Sequence, residues 1–329
     1  MVDLLVGHSS FYLRNGWIKK CVEYVEENKN ENIFSKSNIE AIDKLGIGSV
    51  MVQSLKFWMT MLDILKKEKK EFHLKREIKY ILEKDPYLEN KNTLWLLHTY
   101  IMERDEKKEN PVLWNLFIRN KKNSLFTEEE ARDVLNIFYK EKNEVISERS
   151  VKDSINVFIK TYYKEVDIKN DPEDNLYSPF LKLNYLLKNE KNQYYFRNIE
   201  SNEIAEEIIF YLLKRRLKIF KQISIIDSYN YINGIIKMRI NEYEKLILKL
   251  ENREFLFVDR AAGLQNINLT KEILEKAEDK SQAILEAVEL INEAANKDLI
   301  EQILKESANA NAKAQNFNKL GLRQLIITQ

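Results

Sequence analysis

The chain is poor in the residues that staple, break or switch a polypeptide. Its 329 residues include one cysteine, seven glycines, four prolines and three histidines. The lone Cys21 excludes an internal disulfide framework and suits a reducing cytoplasm, where the protein is expected to reside. Scarce glycine and proline argue against a turn-rich β architecture and favour long helices. His8, His73, His98 and Cys21 are too few and too scattered to close a zinc site, so no metal is expected. Neither a Walker lysine loop nor a G-x-G-x-x-G fingerprint is present, and no cofactor is expected. No apolar run reaches the ~20 residues that cross a bilayer. The N-terminal MVDLLVGHSSF lacks the basic and apolar regions of a signal peptide. Charge of one sign is also missing: 53 basic residues face 52 acidic ones, a formal net charge of +1. A surface for a polyanion therefore requires local segregation of charge.

What is present is helical pattern. With 44% hydrophobic residues the chain can build real cores. The stretch Ile39 to Leu65 reads as a short helix, a break at Gly46-Ile47-Gly48, and a longer helix striped with Val50, Met51, Leu55, Trp58, Met59 and Leu62. A supporting helix, a glycine turn and a second helix make a helix-turn-helix pattern. Ser49, Gln53, Ser54 and Lys56 are the expected groove contacts of that second helix. The segment after it carries Lys66, Lys67, Lys69, Lys70 and Lys75, expected to meet phosphates from a small hairpin that includes Phe72-His73-Leu74. The alternative for this charge run is a solvated loop.

A similar unit follows. LFTEEEARDVLNIFYK carries a capping-box pattern in Thr127 and Glu130. After a short break, Ser147 is placed to cap a helix whose apolar stripe is Val151, Ile155, Phe158, Ile159 and Tyr162. Arg149, Lys152, Asn156 and Lys160 lie off that stripe, and the first three are expected nucleic-acid contacts. A linker rich in acids and proline precedes a third region. There a strongly amphipathic helix spans about 202–220. A later helix, INEYEKLILKLEN, leads into a strand of Phe255, Phe257 and Val258. Gly263 then permits a sharp turn toward Ile267 and Leu269.

The expected organisation is mostly α, with tandem winged-helix or helix-turn-helix-like modules, small β-wings and a helical C-terminal tail. The expected boundaries are 1–122, 123–170, 176–269 and a tail of 270–329. The tail, rich in Ala, Glu and Lys, leaves homo-oligomerisation through C-terminal helices open. His8 and Arg14 mark either an anion-binding or partner corner or simple N-terminal packing. His98, on an aromatic helix, reads as a satisfied core residue. No catalytic residue is expected. Ser9 and Ser10 beside His8 lack the glycine-rich elbow of a nucleophile, and a hydrolase centred on His8 is a third reading only.

Several spaced motifs, GHSSFYLRNGW, LGIGSVMVQSLKFW, DPYLENKNTLWLLH, SVKDSINVFIKTY and DRAAGLQNI, give the chain a resemblance. From about Gly7 to Leu269 it resembles the bacterial domain-of-unknown-function family numbered four-thousand-and-seven. Members of that family occur near genes of phage-defence and DNA-modification systems. The resemblance implies a role in such a system, on DNA, and supplies no catalytic site. With no catalytic motif in the chain, the expected function is a non-enzymatic component that contacts duplex DNA beside neighbouring defence proteins. The alternative is an adaptor or scaffold subunit that touches no DNA. This chain departs from the family pattern at Ser49 and Val50, where a more basic turn is usual. That departure removes an expected phosphate contact from the second helix.

Overall fold

The computed structural model describes residues 7–28, 34, 39–68, 71–103, 112–119, 125–165, 177–261 and 265–269. The described chain is mostly helical, with small antiparallel sheets. Its buried apolar side chains form one cluster that runs from Leu13 to Leu269.

The first part contains α1 (Trp17–Glu27), α2 (Ile39–Leu45), α3 (Ser49–Met61) and the hairpin of β1 (Leu65–Glu68) with β2 (Glu71–Leu74). Trp17, Ile18, Cys21, Tyr24 and Val25 recur at helical spacing and form the buried face of α1. α2 ends at Gly46, whose φ of +63° is a left-handed geometry that L side chains rarely adopt. α3 is buried more widely than its stripe suggests. Val52, Ser54, Leu55, Phe57, Trp58, Met59 and Met61 are all covered, whereas Val50 is 52% exposed. The reason is that the N-terminal segment lies across α3: Ser54 Oγ and Trp58 Nε1 both donate to the Phe11 carbonyl, at 3.3 and 3.0 Å. Cys21 is fully buried, and burial pushes its thiol pKa up. A thiolate is the reactive species, so a disulfide-exchange reagent should label Cys21 very slowly in the native protein and rapidly once it is unfolded. Equal rates in the two states would mean that α1 is not packed as described.

α4 (Arg76–Lys84) leads through Asp85 to α5 (Lys91–Glu103). The Asp85 carboxylate accepts from the backbone N–H groups of Glu89 and Asn90 at 2.8 and 3.1 Å, which fixes the turn. From Thr93 to Glu103 every side chain of α5 is buried, so this helix runs through the interior. α6 (Val112–Trp114) continues as a π-helical turn at Asn115–Arg119.

α7 (Glu128–Glu141) and α8 (Glu148–Tyr162) pack on each other. The capping box is formed: Thr127 Oγ1 accepts from Glu130 N at 3.1 Å, and Glu130 Oε2 accepts from Thr127 N at 3.0 Å. Thr127→Ala should therefore cost about 1 kcal/mol, seen as a lower urea midpoint. An unchanged midpoint would show that α7 does not depend on its cap. After a 3₁₀ turn at Pro179–Leu183 comes a hairpin of β3 (Leu186–Lys188) and β4 (Tyr194–Phe196), tied to Phe126 by a bridge at Tyr194.

The last part holds α9 (Glu206–Phe220), β5 (Gln222–Ser224), α10 (Ile225–Asn233), α11 (Ile240–Asn252), β6 (Leu256–Asp259) and β7 (Asn266–Leu269). The three strands form an antiparallel sheet in the order β5-β7-β6. Leu256 and Val258 point inward opposite buried Leu269 and Ile267, while Phe257 is 49% exposed. Phe255 lies just outside the strand against Phe210, with ring centroids 4.9 Å apart. Pairing to an already buried strand sets the face, and a shift of one residue inverts it. Gly263 and the tail 270–329 lie outside the described residues.

Candidate nucleic-acid interface

Of the expected contacts on α3, Ser54 is buried and Ser49, Gln53 and Lys56 are half-buried. Ser54 is fully buried and donates to Phe11. Gln53 donates its side-chain amide to the Phe34 carbonyl. The Lys56 ammonium lies 5.7 Å from the Phe72 ring centroid, and Phe72 packs edge-on against Phe34 at 5.1 Å. Ser49 is half-buried at the helix start. The outer face of α3 is thus covered in part, Gln53 by Phe34 and Lys56 by Phe72 of β2, while Val50 and Thr60 stay exposed, which the helical pattern of α3 alone could not show. Lys75 is paired with Asp63. Lys66 and Lys67 stand in β1 opposite His73 and Phe72, but their side chains lie outside the described residues, as do Lys69 and Lys70 altogether.

His8 and Arg14 are tied into local packing. His8 is 2% exposed, accepts from Ser10 N at 3.1 Å and meets the Phe57 ring edge-on at 5.8 Å. The Arg14 guanidinium lies 5.5 Å from the Phe11 ring and 5.7 Å from the Trp17 ring.

The second unit is different. Spacings of three and four put Arg149, Lys152, Asn156 and Lys160 on one face of α8, and all four are exposed. The Arg149 side chain is 91% exposed and reaches Asp153 at 3.7 Å. Such a contact is weak, because exposed ion pairs contribute little. Lys152 and Lys160 make no ion pair among the described residues.

The other face of α8 is locked into the interior by a directed chain of hydrogen bonds. Trp114 Nε1–H donates to the Tyr162 hydroxyl oxygen at 3.0 Å. The Tyr162 O–H and His98 Nδ1 are 2.7 Å apart, and His98 Nε2 lies 2.9 Å from the Ile235 carbonyl. A carbonyl only accepts, so Nε2 carries the proton and Nδ1 accepts from Tyr162. His98 is therefore a neutral, satisfied core residue. Burial lowers its pKa to about 4 and raises that of the Tyr162 phenol. α8 is buried and hydrogen-bonded on one side, and its basic side is left to solvent.

Where the C-terminal half of α8 approaches the 3₁₀ turn and the β3–β4 hairpin, a cleft of about 380 Å³ opens. Asn156, Lys160, Tyr163 and Lys164 line it from α8 and its end; Tyr12, Tyr177, Lys188 and Tyr194 arrive from elsewhere. Tyr163 and Tyr194 meet edge-on at 5.5 Å, and Tyr194 donates to Glu128 Oε1 at 3.2 Å. The Lys188 ammonium lies 5.3 Å from the Tyr194 ring centroid and donates to Glu165 Oε1 at 2.5 Å. That bond holds the Lys188 pKa up and the Glu165 pKa down. The cleft thus joins aromatic faces to several ammonium groups at the end of the α8 ridge. Of its residues only Asn156 was an expected contact. Lys160 and Lys164 could have been found by continuing the same helical spacing. Tyr12, Tyr177, Lys188 and Tyr194 are distant in sequence and carry no shared local signal.

Among the described residues, no group of three His, Cys, Asp or Glu side chains is arranged to hold a metal ion. No described helix is long and apolar enough to cross a membrane.

No curated protein matches the chain. Its fold is similar to that of a crystal structure of SspB, with a TM-score of 0.72 at 20% identity over 90% of this chain and 94% of that one. A magnesium ion-bound SspB crystal structure gives a TM-score of 0.70 at 18% identity over 89% of this chain and 99% of that one. The likeness at these identities is one of fold. Residues 5–288 match the family described as Protein of unknown function (DUF4007), and the chain belongs to that family.

Proposed function

We propose that this protein is a non-enzymatic DNA-binding component of a bacterial phage-defence or DNA-modification system, and that α8 carries its contact with duplex DNA. The observation that supports this reading most is the exposed face of Arg149, Lys152, Asn156 and Lys160 on a helix whose opposite face is fixed in the core. Basic side chains in a row along a helix suit the phosphates that flank a groove, and an Asn among them can reach base edges. The element order supports winged-helix modules on either side. α1, α2 and α3 are followed by the β1–β2 hairpin, and α9, β5, α10 and α11 are followed by β6 and β7 in a β5-β7-β6 sheet. In this reading these modules brace the α8 ridge more than they read bases, because Gln53 and Lys56 of α3 are held against Phe34 and Phe72. The defence role rests on the family resemblance. The test is binding of a labelled duplex at two salt concentrations. Binding should be strong at low salt and fall steeply as salt rises. No detectable binding at low salt, or binding indifferent to salt, would remove the proposal.

A second reading, an adaptor that docks a neighbouring defence protein, is favoured by the last part of the chain. There the basic side chains of α11 and its end are spent on carboxylates: Lys245 on Glu242 at 2.6 Å, Lys249 on Glu206 at 3.8 Å, and Arg253 on Glu206 and Glu207. Leu248 and Phe257 stand 53% and 49% exposed beside them. Co-purification of a neighbouring gene product that is lost in a Leu248→Glu/Phe257→Glu variant, with duplex binding absent, would select this reading.

A further inference from the structure

We propose that the cleft beside α8 binds a nucleotide unit, with its base against the cleft tyrosines and its phosphate on Lys160, Lys164 and Lys188, displacing the Glu165 carboxylate from Lys188. The inference rests on the reading that this face of the protein meets nucleic acid. It assigns a part of that face to something a duplex cannot offer, an unstacked base.

The shape comes first. A volume of about 380 Å³ falls within the range of small-ligand sites, roughly 300–1,000 Å³. Tyr12, Tyr163 and Tyr177 are half-buried in its walls, so each is held by packing yet keeps surface toward the opening. Tyrosine faces in a basic groove are the surfaces on which unpaired bases stack. The base pairs of an intact duplex keep their faces covered and cannot use them.

The charges come second. Three lysines and two glutamates line the cleft, and each glutamate has a partner there. Glu128 accepts from the Tyr194 hydroxyl at 3.2 Å. Glu165 sits on Lys188 at 2.5 Å, and the two differ in exposure: the Lys188 side chain is 17% exposed and the Glu165 side chain 69%. Lys188 is anchored against the Tyr194 ring, whereas Glu165 follows the end of α8 and reaches in from solvent. A mostly exposed carboxylate is held weakly, so a phosphate with more acceptor oxygens and more charge can replace it. Glu165 then acts as an internal competitor for the anion position. This predicts a gain of function on removing it, an outcome that damage to the fold does not produce.

Two sources could supply the nucleotide, a free mononucleotide or an unpaired strand, and the experiment uses both. Thymidine 5′-monophosphate and a ten-residue oligothymidylate are titrated into the full chain and the Glu165→Gln, Lys188→Met and Lys188→Arg variants. The oligonucleotide is also used with 5-bromouracil for photo-crosslinking. Glu165→Gln should bind the true ligand at least threefold more tightly, Lys188→Met about tenfold more weakly, and Lys188→Arg close to wild type. Crosslinks should fall on peptides containing Tyr12, Tyr163 or Tyr177. If the oligonucleotide binds far better than the mononucleotide, the source is a strand; if the two bind equally, it is a free nucleotide. The proposal is overturned if neither binds, if Glu165→Gln fails to strengthen binding, or if crosslinks fall outside the cleft. An intact blunt duplex is titrated in parallel against Arg149→Glu/Lys152→Glu. Duplex binding that depends on the ridge, without nucleotide binding in the cleft, overturns this inference and leaves the proposed function standing. Nucleotide binding in the cleft with no duplex binding does the reverse.

Discussion

Replacing Tyr162 with phenylalanine should destabilise the protein by about 2–6 kcal/mol and lower its urea midpoint by roughly 1 M. The volume of the side chain hardly changes, so the loss arises almost wholly from hydrogen bonds. Without the hydroxyl, Trp114 Nε1–H has lost its acceptor and His98 Nδ1 its donor, in a site closed to water. Each buried polar group left without a partner costs about 1–3 kcal/mol. The adjacent Tyr163→Phe is the control. Tyr163 is half-buried at the cleft, and its change should stay within about 0.5 kcal/mol. Equal midpoints for the Tyr162 variant and wild type would mean that the chain from Trp114 to Ile235 does not exist in solution.

The same network sets a pH dependence. Burial, only partly offset by the bond to Ile235, lowers the His98 pKa from 6.5 to about 4. Between those values the unfolded chain binds a proton that the folded chain refuses. Stability therefore falls as pH falls from about 6.5 to about 4, and is unaffected by this group above that window. The gap corresponds to roughly 3 kcal/mol. A His98→Gln variant removes the titration, so its stability should decline less than that of wild type over this window. Parallel curves would show that His98 titrates normally in the folded protein.

Reversing charge on the ridge, in Arg149→Glu/Lys152→Glu/Lys160→Glu, should weaken duplex binding on the order of 100-fold at low salt. Each phosphate contact contributes about 0.9 to the slope of log affinity against log salt, so the slope should shrink by roughly 3. The three side chains are exposed on the outer face of α8, so the fold should tolerate the change and the urea midpoint should move little. Introducing acidic residues at Gln53 or Ser54 of α3 is a poorer test, because both hold structure in place there. A triple variant that binds duplex as wild type does, with the same salt slope, would move the DNA contact away from α8.

Much of the local structure was legible. Apolar spacing located α3, α7, α8 and α11; Thr127 with Glu130 announced a capping box; and the lysine-rich turn before Phe72 is a hairpin. These features depend on contacts within a few residues, where the chain's own periodicity and capping chemistry decide. His98 read as a core residue because it stands in a run of large apolar side chains, and that run is buried from end to end.

The candidate site was legible only in part. Arg149, Lys152 and Asn156 could be named because one helical face needs only helical spacing. Whether such a face is open depends on what packs over it. α3 and α8 have similar patterns, yet Phe34 and Phe72 of the hairpin half-bury Gln53 and Lys56 on the outer face of α3, while nothing described covers that of α8. The cleft was not legible at all, since Tyr12, Tyr163, Tyr177 and Tyr194 meet only when the 3₁₀ turn and the β3–β4 hairpin dock against α8. By itself the sequence determined a mostly helical chain with small hairpins, because short-range hydrogen bonds and side-chain periodicity are written locally. Tertiary structure decided which basic face meets solvent, which lysines are already spent on carboxylates and which tyrosines share a cleft, because burial and pairing depend on partners far away in the chain.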